Sequence, residues 1–294
     1  MISKVRKIAK EIVDKSCHVE FDINNIFKLS KKIKDSPISE WKPSLPKWYV
    51  DGEFGECEKE VFLMYELLAN SVNYCYWYGK ANIRPLGANS VKMYRLLDEV
   101  FSLLKYPSIW DFRNHVDLFY QKLVNERFPL LEERYRHTKE TVNCSGLNNL
   151  RIAVLMNRDV GKTINCLVNF FPGYASDMFL KRAQLFVMQV QRGLNIFSEE
   201  EIKKLTVPAD YHIPKMLRYY DCIHYFDGLS DDIKRSKLIP KGSIKEIEIR
   251  AATIVSCDML ADMSGTDTTV VDDFLWQSRK ECTDPFHLTI TTDY

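Results

Sequence analysis

The sequence carries no net charge to speak of: 41 Lys and Arg stand against 40 Asp and Glu, a formal +1. Gripping a nucleic-acid backbone needs a basic excess or a concentrated basic face, so the balance argues against that class while allowing a local basic pocket. Also missing is any apolar run near the ~20 residues of a membrane span. The start, Met1-Ile-Ser-Lys-Val-Arg-Lys-Ile8, is basic and amphipathic, but Glu11 and Asp14 follow at once. Transit peptides avoid acids and a secretory signal needs a longer apolar centre, so a surface helix of a cytoplasmic protein is expected. The eight cysteines are scattered, with no Cys-x-x-Cys and no His pair at metal spacing. That fits reduced, buried thiols and speaks against zinc. Repeats, low-complexity tracts and long linkers are absent, and sustained apolar/polar alternation is scarce, so any sheet should be small. Arg158-Asp-Val-Gly-Lys-Thr163 ends like a phosphate-binding loop, but Met156 stands where the loop's first Gly belongs. It reads as a helix start.

What is present is helical periodicity. Val5, Ile8, Ala9, Ile12 and Val13 form one stripe, and Val61, Met64, Tyr65, Leu68 and Val72 another. An irregular stretch with Pro37, Pro43 and Pro46 separates them. Further helical runs are expected over 89–105, 109–125, 129–142, 159–170, 177–194, 211–220, 243–262 and 268–280. Ser243 and Glu246 have capping-box spacing, and Gly193 suits a helix stop. The expectation is a mostly α chain, one domain over 1–294, with two helical lobes and a cleft between them.

The most informative stretch is Val207-Pro-Ala-Asp210-Tyr211-His212-Ile-Pro214. An Asp before a helix whose first turn holds Pro is explained in bland terms as an N-cap. Base-excising glycosidases of the helix-hairpin-helix class carry a similar Val-Pro-x-Asp-x-His-Val pattern, with its Asp at the reacting sugar. Phe170-Phe-Pro-Gly-Tyr174 leads towards Lys181-Arg182, where their hairpin turn leads into a helix. Ala175 replaces that turn's usual second Gly, and the paired cations fit a solvated face equally well. Glu246 and Arg250 are an i,i+4 pair, reason enough for both. Asp272-Asp273 can serve a helix macrodipole. With Trp276 one turn on, they also suit a planar heterocycle, the ring stacked and its N–H groups read by a carboxylate. His287 reads as structural.

Taken in order, Asn73-Tyr-Cys-Tyr-Trp77, Pro129-Leu-Leu-Glu-Glu-Arg134, Phe171-Pro-Gly-Tyr174, Lys181-Arg-Ala-Gln184, Ala209-Asp-Tyr-His-Ile-Pro214, Glu246-Ile-Glu-Ile-Arg250, Asp272-Asp-Phe-Leu-Trp276 and Pro285-Phe-His287 resemble the queuosine salvage protein family. The resemblance implies a fold similar to helix-hairpin-helix DNA glycosylases, acting on a mononucleotide. The activity it implies is hydrolysis of queuosine 5'-phosphate to release queuine, a 7-deazaguanine reused in tRNA modification. It makes Asp210 the catalytic carboxylate, with Lys181, Tyr211, His212, Asp272, Asp273, Trp276, Asn73, Tyr76 and Trp77 as substrate-binding candidates. It implies a small-molecule nucleotide substrate, no metal, no cofactor, no stable nucleic-acid complex and no membrane. The chain departs from the family at Gly87-Ala-Asn-Ser90, where members often carry a Tyr-Trp pair, and at Leu288-Thr-Ile290, where basic residues are usual. The readings set beside this one are a DNA or RNA base-excision glycosylase and a non-catalytic binder of a modified nucleoside.

Overall fold

Apolar residues recurring every three or four positions set the helices. A computed structural model describes residues 1–36, 56–77, 88–104 and 109–294; the stretch with Pro37, Pro43 and Pro46, and Gly87, lie outside the described residues. The two stripes fold as helices Ile2–Val13 and Glu56–Ser71. The later runs fold as Ser90–Phe101, Val116–Asn125, Leu131–Val142, Val160–Phe170, Lys181–Leu194, His212–Tyr219, Ile244–Ser264 and Thr268–Ser278. The chain is mostly helical. Its sheet among the described residues is a pair of short antiparallel strands, Val19–Phe21 and Ile223–Tyr225, with Val19 opposite Tyr225. None of the described helices is long and apolar enough to cross a membrane.

Helix Ile244–Ser264 is the central element. Ile2–Val13, Ile23–Asp35, His212–Tyr219 and Thr268–Ser278 all pack on it. Ile249, Ala252, Ile254, Cys257 and Leu260 are fully buried, as expected of a helix covered on several sides. Its start shows the capping box shifted by one residue. Ser243 Oγ accepts from the Glu246 N–H at 3.3 Å, but the Glu246 carboxylate accepts from Gly242 N–H, at 3.0 Å. Asp159 likewise caps Val160–Phe170 by accepting the Lys162 N–H at 2.8 Å, so the phosphate-loop lookalike is a helix start.

Several elements differ from expectation, among them the short helices Leu147–Arg151, Glu199–Ile202 and Leu229–Lys234, which lie outside the expected runs. Helix Ile23–Asp35 was not among the expected runs, although Asp22 caps it and Ile26, Leu29 and Ile33 are buried at helical spacing. Gly193 is not a stop. The helix runs on to Leu194 and ends at Asn195, whose φ of 48° lies in the left-handed region. Gly193 is there for close approach: a Cβ on it would sit 2.3 Å from the ring of fully buried Phe62. Gly193→Ala should therefore destabilise by about 1–3 kcal/mol through overpacking, exceeding the ~1 kcal/mol that Ala gains in helix propensity. Urea unfolding checks the sign; a more stable variant would mean that Phe62 yields.

Candidate active site

Most of the residues singled out along the sequence meet at a cavity of about 350 Å³. Its wall is drawn from the extended stretch after Ser71, the start of Ser90–Phe101, one face of Lys181–Leu194, the loop before His212–Tyr219, and helix Thr268–Ser278.

Asp210 lies where the last of these loops turns into its helix. Its Oδ1 accepts the His212 N–H at 2.7 Å and the Ile213 N–H at 3.2 Å. The capping reading and the site reading therefore describe one carboxylate, since Asp210 also lines the cavity. Tyr211 and His212 line the same wall, packed at tilted and edge-on angles against each other and Phe286 with ring centroids 4.6–5.8 Å apart.

Lys181 and Arg182 are both buried, not a solvated face. Lys181 reaches the cavity, and its Nζ donates to the Asn73 carbonyl at 3.4 Å. Burial lowers its pKa to about 8, with Asp210 opposing that shift. Arg182 turns the other way and donates to the Ser71 carbonyl at 2.6 Å and to that of Gly173. Lys181, Leu185, Gln189 and Arg192 lie on one helix face and all line the cavity. Arg192 donates to Asp273 and stands 3.7 Å from Asp272. Both aspartates line the cavity, Asp272 the more buried. Burial raises Asp272 to about 8 and Asp273 to about 6, against the pull of Arg192. Trp276 follows one turn on. The Arg279 guanidinium lies 3.3 Å from its ring centre and donates to its carbonyl at 2.6 Å.

Asn73 and Tyr76 line the cavity, joined by the Tyr76 hydroxyl donating to Asn73 Oδ1 at 2.9 Å. Trp77 does not. The backbone turns at Cys75, whose φ is 30°, and Trp77 packs towards Phe286 on a second, smaller cavity of about 240 Å³. His212 lines both. The stretch is held from behind by buried Arg134, which donates to the carbonyls of Pro129 at 2.8 Å, Tyr74 at 2.5 Å, Cys75 at 2.8 Å and Val72. Where the chain departs from the family pattern, Asn89 and Ser90 line the cavity, Asn89 capping its helix through the Lys92 N–H at 2.8 Å. Leu288 and Thr289 bond the backbone of Ile239 instead, at 2.8 and 3.0 Å.

Residues not anticipated as part of the site include Gln189, Arg192, Tyr94, Arg279 and Tyr294. Arg192 had a readable signal, since it continues the face of Lys181 by three turns. Tyr94 joins the cavity to buried Glu66, donating to its carboxylate at 2.8 Å; burial raises Glu66 to about 7. Tyr294 had no local signal; its carbonyl accepts the Cys75 N–H at 2.9 Å and its hydroxyl lies 3.2 Å from Nε2 of buried His287. The structural reading of His287 fits that placement.

The comparisons with known proteins agree with one another. Queuosine 5'-phosphate N-glycosylase/hydrolase of Sphaerobacter thermophilus is 27% identical over 269 residues, covering 80% of this chain and 82% of that protein. The protein of the same name from Dictyostelium discoideum is 26% identical over 324 aligned positions, covering 100% of this chain and 95% of its own length. That from Mus musculus is 29% identical over 149 residues, 46% of this chain and 44% of the relative. The sequence profile described as queuosine salvage protein matches residues 55–292, which takes in every wall of the cavity except Tyr294. The chain belongs to the queuosine salvage protein family.

Proposed function

We propose that this chain hydrolyses the N-glycosidic bond of queuosine 5'-phosphate and releases queuine for salvage into tRNA modification. The observation that carries the reading is convergence. In a chain of this family, Asp210, Lys181, Asp272, Trp276 and Tyr76 line one cavity of about 350 Å³. That volume suits a small molecule, since ligand pockets commonly run from about 300 to 1,000 Å³. We assign the fold to the helix-hairpin-helix glycosylase type with two lobes about this cleft. Support comes from the Pro172–Tyr174 turn leading to Lys181–Leu194, with Asp210 opening a later helix. One domain over 1–294, a cytoplasmic setting and no stable nucleic-acid complex complete the proposal.

Breaking the bond between sugar and base builds positive charge on the sugar. The Asp210 carboxylate stabilises that charge and takes a proton from the attacking water, whose oxygen forms the new bond to the anomeric carbon. The bonding pair leaves with the base. A 7-deazapurine has no N7 to protonate, so the departing charge must be met by a donor elsewhere on the ring. Asp272, kept in its neutral form up to about pH 8 by burial, is assigned that donation. Lys181 supplies a cation to an anionic substrate while it stays protonated, up to about 8. Trp276 and Tyr76 hold the planar base. Asn73, Tyr211, His212 and Asp273 shape the pocket.

Both tuned groups give one sign. As pH rises through about 8, Asp272 loses the proton it donates and Lys181 loses its charge, so kcat/KM falls. Release of queuine from queuosine 5'-monophosphate, followed by mass spectrometry across pH, tests both levels. A rate still rising well past the pH of these two titrations would sink the roles given to Asp272 and Lys181. No release at any pH by folded protein would sink the function.

A further inference from the structure

Lys181 and Asp210 stand at the starts of two helices, and one buried guanidinium joins the loops that lead into them. Asp177 starts the first. Its Oδ1 accepts the Phe179 N–H at 3.0 Å and its Oδ2 the Lys181 N–H at 2.7 Å. These bonds span Leu180, which sits in the left-handed region with φ 57°. Arg250, on the central helix, donates from Nη1 and Nη2 to the two Asp177 oxygens at 2.8 Å each. Its Nε donates to the Ala209 carbonyl at 3.0 Å, on the residue just before Asp210. Every nitrogen of the fork is committed: two fix the loop that delivers Lys181, and one fixes the backbone that delivers Asp210. The group is enclosed. Arg250 is 2% exposed and Asp177 5%, with the rings of Phe179 and Tyr294 at 4.9 and 4.3 Å from the guanidinium carbon. Glu246, the i,i+4 neighbour, comes only to 3.6 Å.

We propose that Arg250 and Asp177 are positioning residues that hold Asp210 in register with Lys181, so that their loss lowers kcat through Asp210 by more than it raises KM through Lys181. This rests on the N-glycosidase reading above. An ion pair serving only to pack helices would be complete with the two Asp177 contacts. The third bond, to Ala209, has its consequence at Asp210. A fork can satisfy both loops at once; a lysine brings the charge but neither the bidentate geometry nor the third donor. In Arg250→Lys, Asp177 keeps a cationic partner while the paired oxygens and the Ala209 carbonyl compete for one ammonium. Displacements of about 1 Å at a reacting group can cost on the order of 10²-fold in rate.

The experiment is steady-state queuine release from queuosine 5'-monophosphate by wild type, Arg250→Lys and Asp177→Asn. Rates are counted per folded molecule from parallel thermal melts. The expected result is a kcat lower by about 10–100-fold with KM within about threefold of wild type. Unchanged kcat in a folded Arg250→Lys protein with a lowered Tm overturns the proposal and leaves the pair a packing feature. A rise in KM with kcat unchanged overturns it too. If Arg250→Lys does not fold, the shape-conserving Asp177→Asn decides by the same split, and failure of both to fold assigns the pair to the fold alone. A wild type that releases no base overturns the N-glycosidase reading itself, and the clamp's role in it.

Discussion

Asp210→Asn should release queuine about 10²–10³-fold more slowly than wild type, or worse, because the group it removes both stabilises the sugar cation and activates water. The fold should survive the change. The Oδ1 of Asp210 caps helix His212–Tyr219 through two backbone N–H groups, and Asn caps as well as Asp. KM should move little, since what is lost is an interaction strongest in the transition state. Single-turnover release with both proteins measures the chemical step directly. A folded Asp210→Asn protein within about tenfold of wild type would remove Asp210 from the chemistry and turn attention to the other carboxyls of the cavity. Asp210→Ala is the less clean probe, because it also strips the cap, a loss of about 0.5–2 kcal/mol.

Arg134→Met should be the most destabilising single change considered. Methionine fills much of the same volume but donates nothing, so the buried carbonyls of Pro129, Tyr74 and Cys75 lose this donor together, while that of Val72 keeps the Tyr74 N–H at 3.2 Å. With each stranded buried acceptor costing about 1–3 kcal/mol, a loss of more than about 3 kcal/mol is expected even after relaxation. The damage lands on the site. Three of the four carbonyls belong to Val72, Tyr74 and Cys75, the backbone that presents Asn73 and Tyr76 to the cavity. Urea unfolding measures the first effect and kcat/KM of the residual folded protein the second. A stability loss below about 1 kcal/mol would mean the carbonyls find water or other donors once the guanidinium is gone.

How much of this could be read in advance follows from the reach of each interaction. Asp210 was legible because its setting is local: a Pro, a capping position and a helix start lie within a few residues. The long helices were legible for the same reason, with Ile23–Asp35 the exception despite a cap and a stripe of its own. Lys181 and Arg182 could not be separated from a surface pair, since the carbonyls that receive them belong to Asn73, Ser71 and Gly173, supplied by other segments. Arg250 was explained too cheaply by Glu246 four residues away, while its closest contacts go to Asp177, 73 residues distant. Trp77 was expected on the cavity wall with Tyr76; the left-handed turn at Cys75 sends it elsewhere, and no residue type at that position announces such a turn.

The two amide bonds to Oδ1 of Asp210 also bear on when disorder is lost. A free aspartate at a cavity rim samples several rotamers, and substrate would have to freeze one of them on the way to reaction. Here that freedom is surrendered as the chain folds, because the same oxygen that completes the helix start fixes the plane of the carboxylate. The direction of the remaining oxygen is then a property of the backbone, and changes to the cavity's far wall should alter which base is accepted while leaving the aim of this carboxylate as it is.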